Sequence, residues 1–485
     1  MGILTDILLC PVIGMILILL TPRKSEKAIK IISLIVSGLS VILSFIAYNR
    51  FDPRNVLLQM EERISWLPQY GINYWNGVDG LNISMILLTS IVIFTGVIIS
   101  WKLSYRVKEF FALLLFLVIG VFGVFMTLNL FFFFLFYEVA VLPMYLLIAI
   151  WGSTNKEYAA LKLTLYLLLG SAFMFAIFLA IYSLAGAHTF DLLTIKKQVT
   201  FDPAFQKVAY IGLFLGCGVL AGCWPFHVWS PDGHVAAPTA VSMLHAGVLM
   251  KLGAYGIIRV ALFLFPEAAH TWAPFTVTLA TFNILYGALV ATQQKDLKYV
   301  IGYSSVSHMG IVLLGISTLT VTGLNGALFQ MFSHGIMTAL FFACVGHVYD
   351  ECHTRYFDEL GGLAHKIPIL STFFIIAGLT GLGLPGLSGF PSELLVLIAA
   401  IKTYPVSGIC TAIGVVVTTF YIVSAIMKAF YGPLNKHFEH IKDINLWQYF
   451  GRSILVAFLL LLGVWPKLFL DIVNPITTYL LMKPF

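Results

Sequence analysis

Apolar runs follow one another along this chain from residue 4 to residue 480, and a helix that crosses a bilayer needs about 20 such residues. Only 10% of the 485 residues are charged and 60% are hydrophobic, whereas a soluble domain carries about a quarter charged residues. The pattern predicts an all-α polytopic membrane protein. About 14 transmembrane helices are expected, at roughly 3–22, 28–48, 79–101, 109–127, 129–151, 158–185, 206–231, 237–265, 272–292, 298–317, 322–349, 368–400, 405–431 and 450–472. The first run is followed by PRKSEK rather than by a small-residue cleavage site, so it reads as a retained helix.

Charge placement sets an expected orientation. With the N-terminus outside, 17 of the 28 Lys and Arg fall on the inside and 9 on the outside, leaving Lys251 and Arg259 within a span. That is the bias of the positive-inside rule, and it suits an even helix count with both termini outside. Lys196, Lys197 and Lys207 sit on the outside against the trend.

Two spans contain helix breakers. GLFLGCGVLAGCWPFHVWSPDGH is interrupted near Pro225, and AGLTGLGLPGLSGFPSELL between Pro385 and Pro391. Proline removes a helix hydrogen bond and clashes with the preceding turn. Opened backbone at membrane depth survives only when buried in protein or lining a wet cavity. Pro225 and Pro385 are 160 residues apart, about the length of five spans. This predicts two five-helix repeats, each with one broken helix and, because five is odd, inverted relative to each other, a transporter design. The expected division is 1–107 (helices 1–3), 108–265 (first repeat), 266–432 (second repeat) and 433–485 (helix 14).

An ionisable side chain at bilayer depth costs roughly 2.5–3.5 kcal/mol on insertion scales, so such residues face the bundle interior and carry function. The candidates for proton translocation are Glu138, Lys162, His245, Lys251, His308, His334 and Glu393. Glu138 lies inside FFFFLFYEVAVLPMY. Lys162, on the following helix, either snorkels to the surface or pairs with Glu138. Lys251, in SMLHAGVLMKLGAYG, is well inside a span, where a lysine passes readily between charged and neutral forms. His245 precedes it by six residues, 240° around a helix, and so meets different neighbours. His308 and His334, in consecutive spans, suit a proton wire because histidine titrates near neutrality. Glu393 follows the second break, where opened backbone meets water.

The six cysteines, Cys10, Cys217, Cys223, Cys344, Cys352 and Cys410, show no metal-ligand spacing; they read as apolar fillers, with Cys352 in a loop. No P-loop, dinucleotide fingerprint or iron–sulfur cysteine set is present, so the chain is expected neither to hydrolyse nucleotides nor to carry electrons. No metal, cofactor or nucleic-acid site is expected on it. Moving one charge against 100 mV costs about 2.3 kcal/mol, and that energy must come from elsewhere.

The stretches FFFFLFYEVAVLPMYLLIAIWG, WPFHVWSPDGHVAAPTAVSMLHAGVLMKLGAYGIIR, DLKYVIGYSSVSHMGIVLLGI, FSHGIMTALFFACVGHVYDECHTR and LPGLSGFPSELLVLIAAI resemble the antiporter-like subunits of respiratory complex I, most closely the M type. The resemblance covers nearly the whole chain. It implies a 14-helix fold with two inverted repeats, in the membrane arm of a proton-translocating NADH–quinone oxidoreductase. L-type and N-type subunits, small membrane subunits and lipids would be its neighbours in a bacterial inner membrane. FMN, iron–sulfur clusters and quinone would lie on other subunits. Glu138, Lys162, Lys251, His334 and Glu393 match ionisable positions of the family, and His245 sits where L-type subunits carry a histidine. One position departs. The family has a lysine five residues before the proline of the broken seventh helix, and Leu220 stands there. That leaves alternatives open: a multisubunit Mrp-type cation/proton antiporter subunit, a membrane-arm scaffold that no longer pumps, or a membrane-bound hydrogenase subunit.

Overall fold

A computed structural model of the chain describes residues 2–184 and 188–482; Lys483, one of the basic residues in the charge count, lies outside them. The helices are α1 (Ile3–Leu20), α2 (Glu26–Arg50), α3 (Ile83–Ile99), α4 (Val107–Met126), α5 (Leu130–Trp151), α6 (Lys156–Leu184), α7 (Leu192–Gln198), α8 (Pro203–Ala221), α9 (Trp229–Ala236), α10 (Thr239–Leu262), α11 (Pro266–Thr292), α12 (Leu297–Ser317), α13 (Val321–Cys352), α14 (Pro368–Gly381), α15 (Gly389–Thr403), α16 (Pro405–Phe430), α17 (Leu446–Val464) and α18 (Lys467–Met482). Among the described residues, thirteen helices are long and apolar enough to cross a membrane. The broken pair α14 and α15 makes the fourteenth span, so the chain is a multi-pass membrane protein.

The two breaks are built alike. In the first, α8 ends at Gly222 (φ 74°), a left-handed turn in which the Cys223 amide returns to the Gly218 carbonyl at 2.8 Å. In the second, Gly383 (φ 67°) follows two residues after the end of α14, and the Leu384 amide returns to the Leu379 carbonyl at 3.1 Å. Only glycine takes that φ without strain. The opened backbone then finds partners inside the protein. The Trp224 amide donates to Asn283 Oδ1 at 2.8 Å, and the Ser388 amide to the Leu459 carbonyl at 3.0 Å. Pro225 and Pro385 lie in the gaps. Pro391 does not: it sits in the first turn of α15, where a missing N–H leaves no helix bond unmade. The second gap therefore closes at Ser388, earlier than expected.

Other expectations are corrected in detail. The segment 49–78 holds an antiparallel hairpin, β1 (Gln59–Leu67) and β2 (Ile72–Val78), in an otherwise helical fold. It is pinned to the segment before α7 by Arg63, whose guanidinium donates to Asp191 at 2.6 Å. The last span ends at Val464, and the chain turns at Trp465 into a separate helix, α18, so the C-terminal region is two helices rather than one. Cys352 is the last residue of α13, not a loop residue.

Helices α10, α12 and α13 are buried along nearly their whole length, while α1, α2, α6, α11, α16 and α17 each present one side outward. With no hydrophobic drive between helices in lipid, close packing needs small residues. A Cβ added to Gly335 on α13 would stand 2.6 Å from the Gly247 carbonyl on α10. This contact draws α10 and α13 together beside Lys251. The far end of α10 is anchored by Arg259, whose guanidinium grips Asp79 with two bonds of 2.7 Å, both side chains being 5% exposed. Removing one partner of a buried pair costs about 3–5 kcal/mol. Asp79→Asn is therefore expected to lower the thermal midpoint of the purified assembly markedly, whereas Glu61→Gln on the hairpin leaves it unchanged.

Candidate proton pathway

Lys251 is completely buried on α10, between two π-helical turns, His245–Leu249 and Ile257–Leu262. Its ammonium donates to the Ala246 carbonyl and meets Nδ1 of His334 on α13 at 2.7 Å. π turns inside an α-helix frequently mark functional sites. Here the widened turn supplies one acceptor and His334 the other. A ring nitrogen that accepts from lysine carries no proton, so the neutral His334 ring holds its proton on Nε2. That atom is buried and has no partner among the described residues.

The ring of His334 stacks on that of His308 on α12, centroids 5.3 Å apart and planes at 21°. His308 Nδ1 lies 2.8 Å from the Ser304 carbonyl; Nε2 lies 3.3 Å from the Gly381 carbonyl at the end of α14 and 3.3 Å from Glu393 Oε1. Both nitrogens thus face oxygen acceptors, and a neutral imidazole can donate to one side only. Glu393 also accepts from Gln330 at 3.3 Å. It abuts the second break, since a Cβ on Gly383 would stand 3.1 Å from Glu393 Oε2. A cavity of about 140 Å³ opens beside it, lined by Gly383, Phe390 and Thr411. Lys251, His334, His308 and Glu393 therefore form one row across α10, α13, α12 and α15.

Three expected residues stand outside that row. Lys162 does not pair with Glu138. Its ammonium donates to Asp232 Oδ2 on α9 at 2.7 Å, and Tyr299 on α12 donates to the other oxygen at 2.9 Å. The reason is distance: the polar group beside Glu138 is Ser171, nine residues beyond Lys162 on α6, about 13 Å along a helix. Glu138 Oε1 is buried without a partner among the described residues. Leu220 is fully buried. His245 has no hydrogen bond to Lys251 among the described residues: its ring stacks on Trp229 at 5.1 Å and meets that of His234 at 4.0 Å.

Asp232, His234 and Lys298 were missed by the sequence reading. Asp232 and His234 follow the first break as Glu393 follows the second, so the rule that found Glu393 would also have found them. Lys298 was counted with the inside loops, yet it is 5% exposed and its ammonium donates to the Ala237 and Val235 carbonyls at 2.6 and 3.2 Å. These carbonyls lie at the end of α9, where a cation is favoured, and they also accept from Ser153, Arg355 and Ser242. A cavity of about 460 Å³, lined by Lys102, Asp350, Glu351 and Arg355, leads to Lys298.

Among the described residues no group of three or more His, Cys, Asp or Glu is placed to hold a metal ion. The arrangement suits proton transfer between fixed groups, because each neighbour in the row lies on a different helix and can both take and release a proton.

Known proteins share this architecture. Residues 127–421, which include the whole row, match the family described as NADH:quinone oxidoreductase/Mrp antiporter, TM. The chain is 37% identical over 480 residues to NADH-quinone oxidoreductase subunit M of Rickettsia prowazekii, covering 98% of this chain and 97% of that one. It is 36% identical over 487 residues to NAD(P)H-quinone oxidoreductase chain 4 of Gloeobacter violaceus, covering 98% and 92%. A chain in the structure of respiratory complex I from Thermus thermophilus with bound NADH matches with a TM-score of 0.91 at 28% identity, over 99% of both chains. The chain belongs to the NADH:quinone oxidoreductase/Mrp antiporter transmembrane family.

Proposed function

We propose that this chain is an M-type membrane-arm subunit of a complex I-type NADH–quinone oxidoreductase, and that it moves protons along Lys251, His334, His308 and Glu393. The observation that carries the reading is the row of ionisable side chains from a fully buried lysine to a carboxylate beside opened backbone. Lys251 hands a proton to His334 Nδ1. The two stacked rings share no hydrogen bond, so the next step takes a bridging water or a ring rotation. His308 then passes the proton to Glu393, and the cavity beside Glu393 is the way out of this subunit. Lys162, Asp232, Lys298, His234 and His245 form the intake side, supplied through the cavity that reaches Lys298. Glu138 stands apart as a carboxylate without a cation.

In this reading the chain lies in a bacterial inner membrane with both termini on the outer side. Its neighbours are L-type and N-type antiporter-like subunits, small membrane subunits and lipids. FMN, iron–sulfur clusters and quinone are held elsewhere in the complex. Residues 108–265 and 266–432 form the two inverted repeats, supported by the matching turns at Gly222 and Gly383.

The test is Glu393→Gln, which keeps shape and removes the proton site. NADH-driven quinone reduction and proton uptake are measured together in native membranes, with assembly checked on native gels. Both are expected to fall roughly tenfold or more, because a positioned proton-transfer group is lost. Unchanged rates in an assembled complex would reject the pathway. A second reading, a scaffold that no longer pumps, is favoured by the partnerless Oε1 of Glu138 and the buried Leu220, and that unchanged outcome would establish it.

A further inference from the structure

Gln330 lies on α13 one turn before His334 and is 1% exposed. No step of the pathway uses it, yet both ends of its amide are committed. Its Oε1 accepts from Ser392 Oγ, and its Nε2 donates to Glu393 Oε1 at 3.3 Å. The opposite orientation would set Gln330 Oε1 against Glu393 Oε1, two acceptors with no proton between them, so an ionised Glu393 fixes the amide as found. The backbones hold it in place: a Cβ on Gly326, one turn earlier on α13, would stand 2.8 Å from the Val396 amide nitrogen on α15.

Glu393 Oε1 therefore faces two donors. One is Gln330; the other is His308 Nε2 at 3.3 Å. His308 Nδ1 lies 2.8 Å from the Ser304 carbonyl and keeps its proton there, so Nε2 is the nitrogen that gains and loses one. The second carboxyl oxygen, Oε2, lies against Gly383, which lines the cavity. A proton from His308 thus arrives on Oε1, while the way out lies on the side of Oε2. Once Oε1 carries the proton, the bare oxygen is the better acceptor for the Gln330 amide. We propose that Gln330 is a positioning residue that turns the Glu393 carboxyl over: its amide, held by Ser392, draws the unprotonated oxygen to α13 and swings the new O–H toward Gly383. The proton passes from His308 Nε2 to Glu393 Oε1, the carboxyl rotates about its Cγ–Cδ bond, and the proton leaves to water entering the cavity, which restores the carboxylate. The inference rests on the proposed proton row. The titratable groups facing Glu393 are His308 on α12 and Tyr421 on α16, with His334 on α13 behind His308.

The experiment uses the assembled complex in native membranes, with assembly checked on native gels. Gln330→Met keeps the length of the side chain and removes the amide. NADH-driven quinone reduction and proton uptake are expected to fall together roughly tenfold, the order that a hydrogen bond to a charged group contributes. In redox-induced infrared difference spectra, the carboxyl band that Glu393→Gln removes is expected to move to higher wavenumber in Gln330→Met, because its carbonyl loses a donor. A purely structural role for Gln330 would not move that band. Gln330→Glu keeps the shape but donates only when the introduced carboxyl is protonated. Its activity is expected to approach wild type at low pH and to fall, as pH rises, more steeply than the wild-type profile. An unmoved band in Gln330→Met, or a wild-type pH profile in Gln330→Glu, would overturn the inference and, with Glu393→Gln inactive, leave the row standing. Unchanged rates in Glu393→Gln would overturn both.

Discussion

Lys251→Met in the assembled complex is expected to abolish most NADH-linked proton uptake, by roughly 10²-fold or more, while the protein stays folded. Methionine keeps the length and apolar stem of the lysine, so packing changes little. What disappears is the group that meets Nδ1 of His334 at 2.7 Å. His334 is then left in the row without a donor, and its stacking on His308 no longer leads anywhere. Loss of a positioned proton-transfer group costs about 10²–10⁴ in rate. Lys251→Ala also loses activity but leaves a cavity, which adds instability. Comparing the two variants by native-gel assembly and by rate separates packing from proton transfer. If Lys251→Met retains wild-type uptake, Lys251 is a structural cation and the row has no start.

The second large effect falls on Asp232. Asp232→Asn keeps the size of the side chain and its contact with Tyr299 but removes the charge facing Lys162. Side chains of the pair are 20% and 24% exposed, so water screens the pair and the stability cost is expected to be below about 1 kcal/mol. Coupled activity is expected to fall about three- to tenfold, since the charge near the intake side is lost. Lys162→Met should produce a similar drop, and the double variant should be no worse than either single one, because the two act as a unit. Additive losses in the double variant would show that Lys162 and Asp232 work separately. Retained activity in Asp232→Asn would remove the pair from the proposed intake.

The spans and their breaks could be read from residues alone because both signals are local: an apolar run of fixed length, and a proline with glycines inside it. The members of the row could be named for a similar reason, as ionisable residues in apolar surroundings. Their pairing could not. Whether Lys162 meets Glu138 or Asp232 depends on where α9 comes to rest after the first break, which no spacing along the chain encodes. Lys298 looked like a loop charge because it follows Asp296, yet Asp296 caps α12 through its Lys298 and Tyr299 amides, which places Lys298 in the first helical turn under Arg355. The π turns around Lys251 leave no periodic mark in the sequence. The hairpin does leave a local signal: polar and apolar residues alternate through RISW and INY, the period of a strand, in a segment too short of apolar residues to span a membrane.

The central claim is that a proton reaches Glu393 during turnover, and redox-induced infrared difference spectroscopy of the assembled complex in native membranes observes it directly. The account predicts a carboxyl band that appears on NADH oxidation, vanishes in Glu393→Gln, is suppressed in Lys251→Met and persists in Glu138→Gln. A difference spectrum that Glu393→Gln leaves unchanged, in a complex that still oxidises NADH, would contradict it.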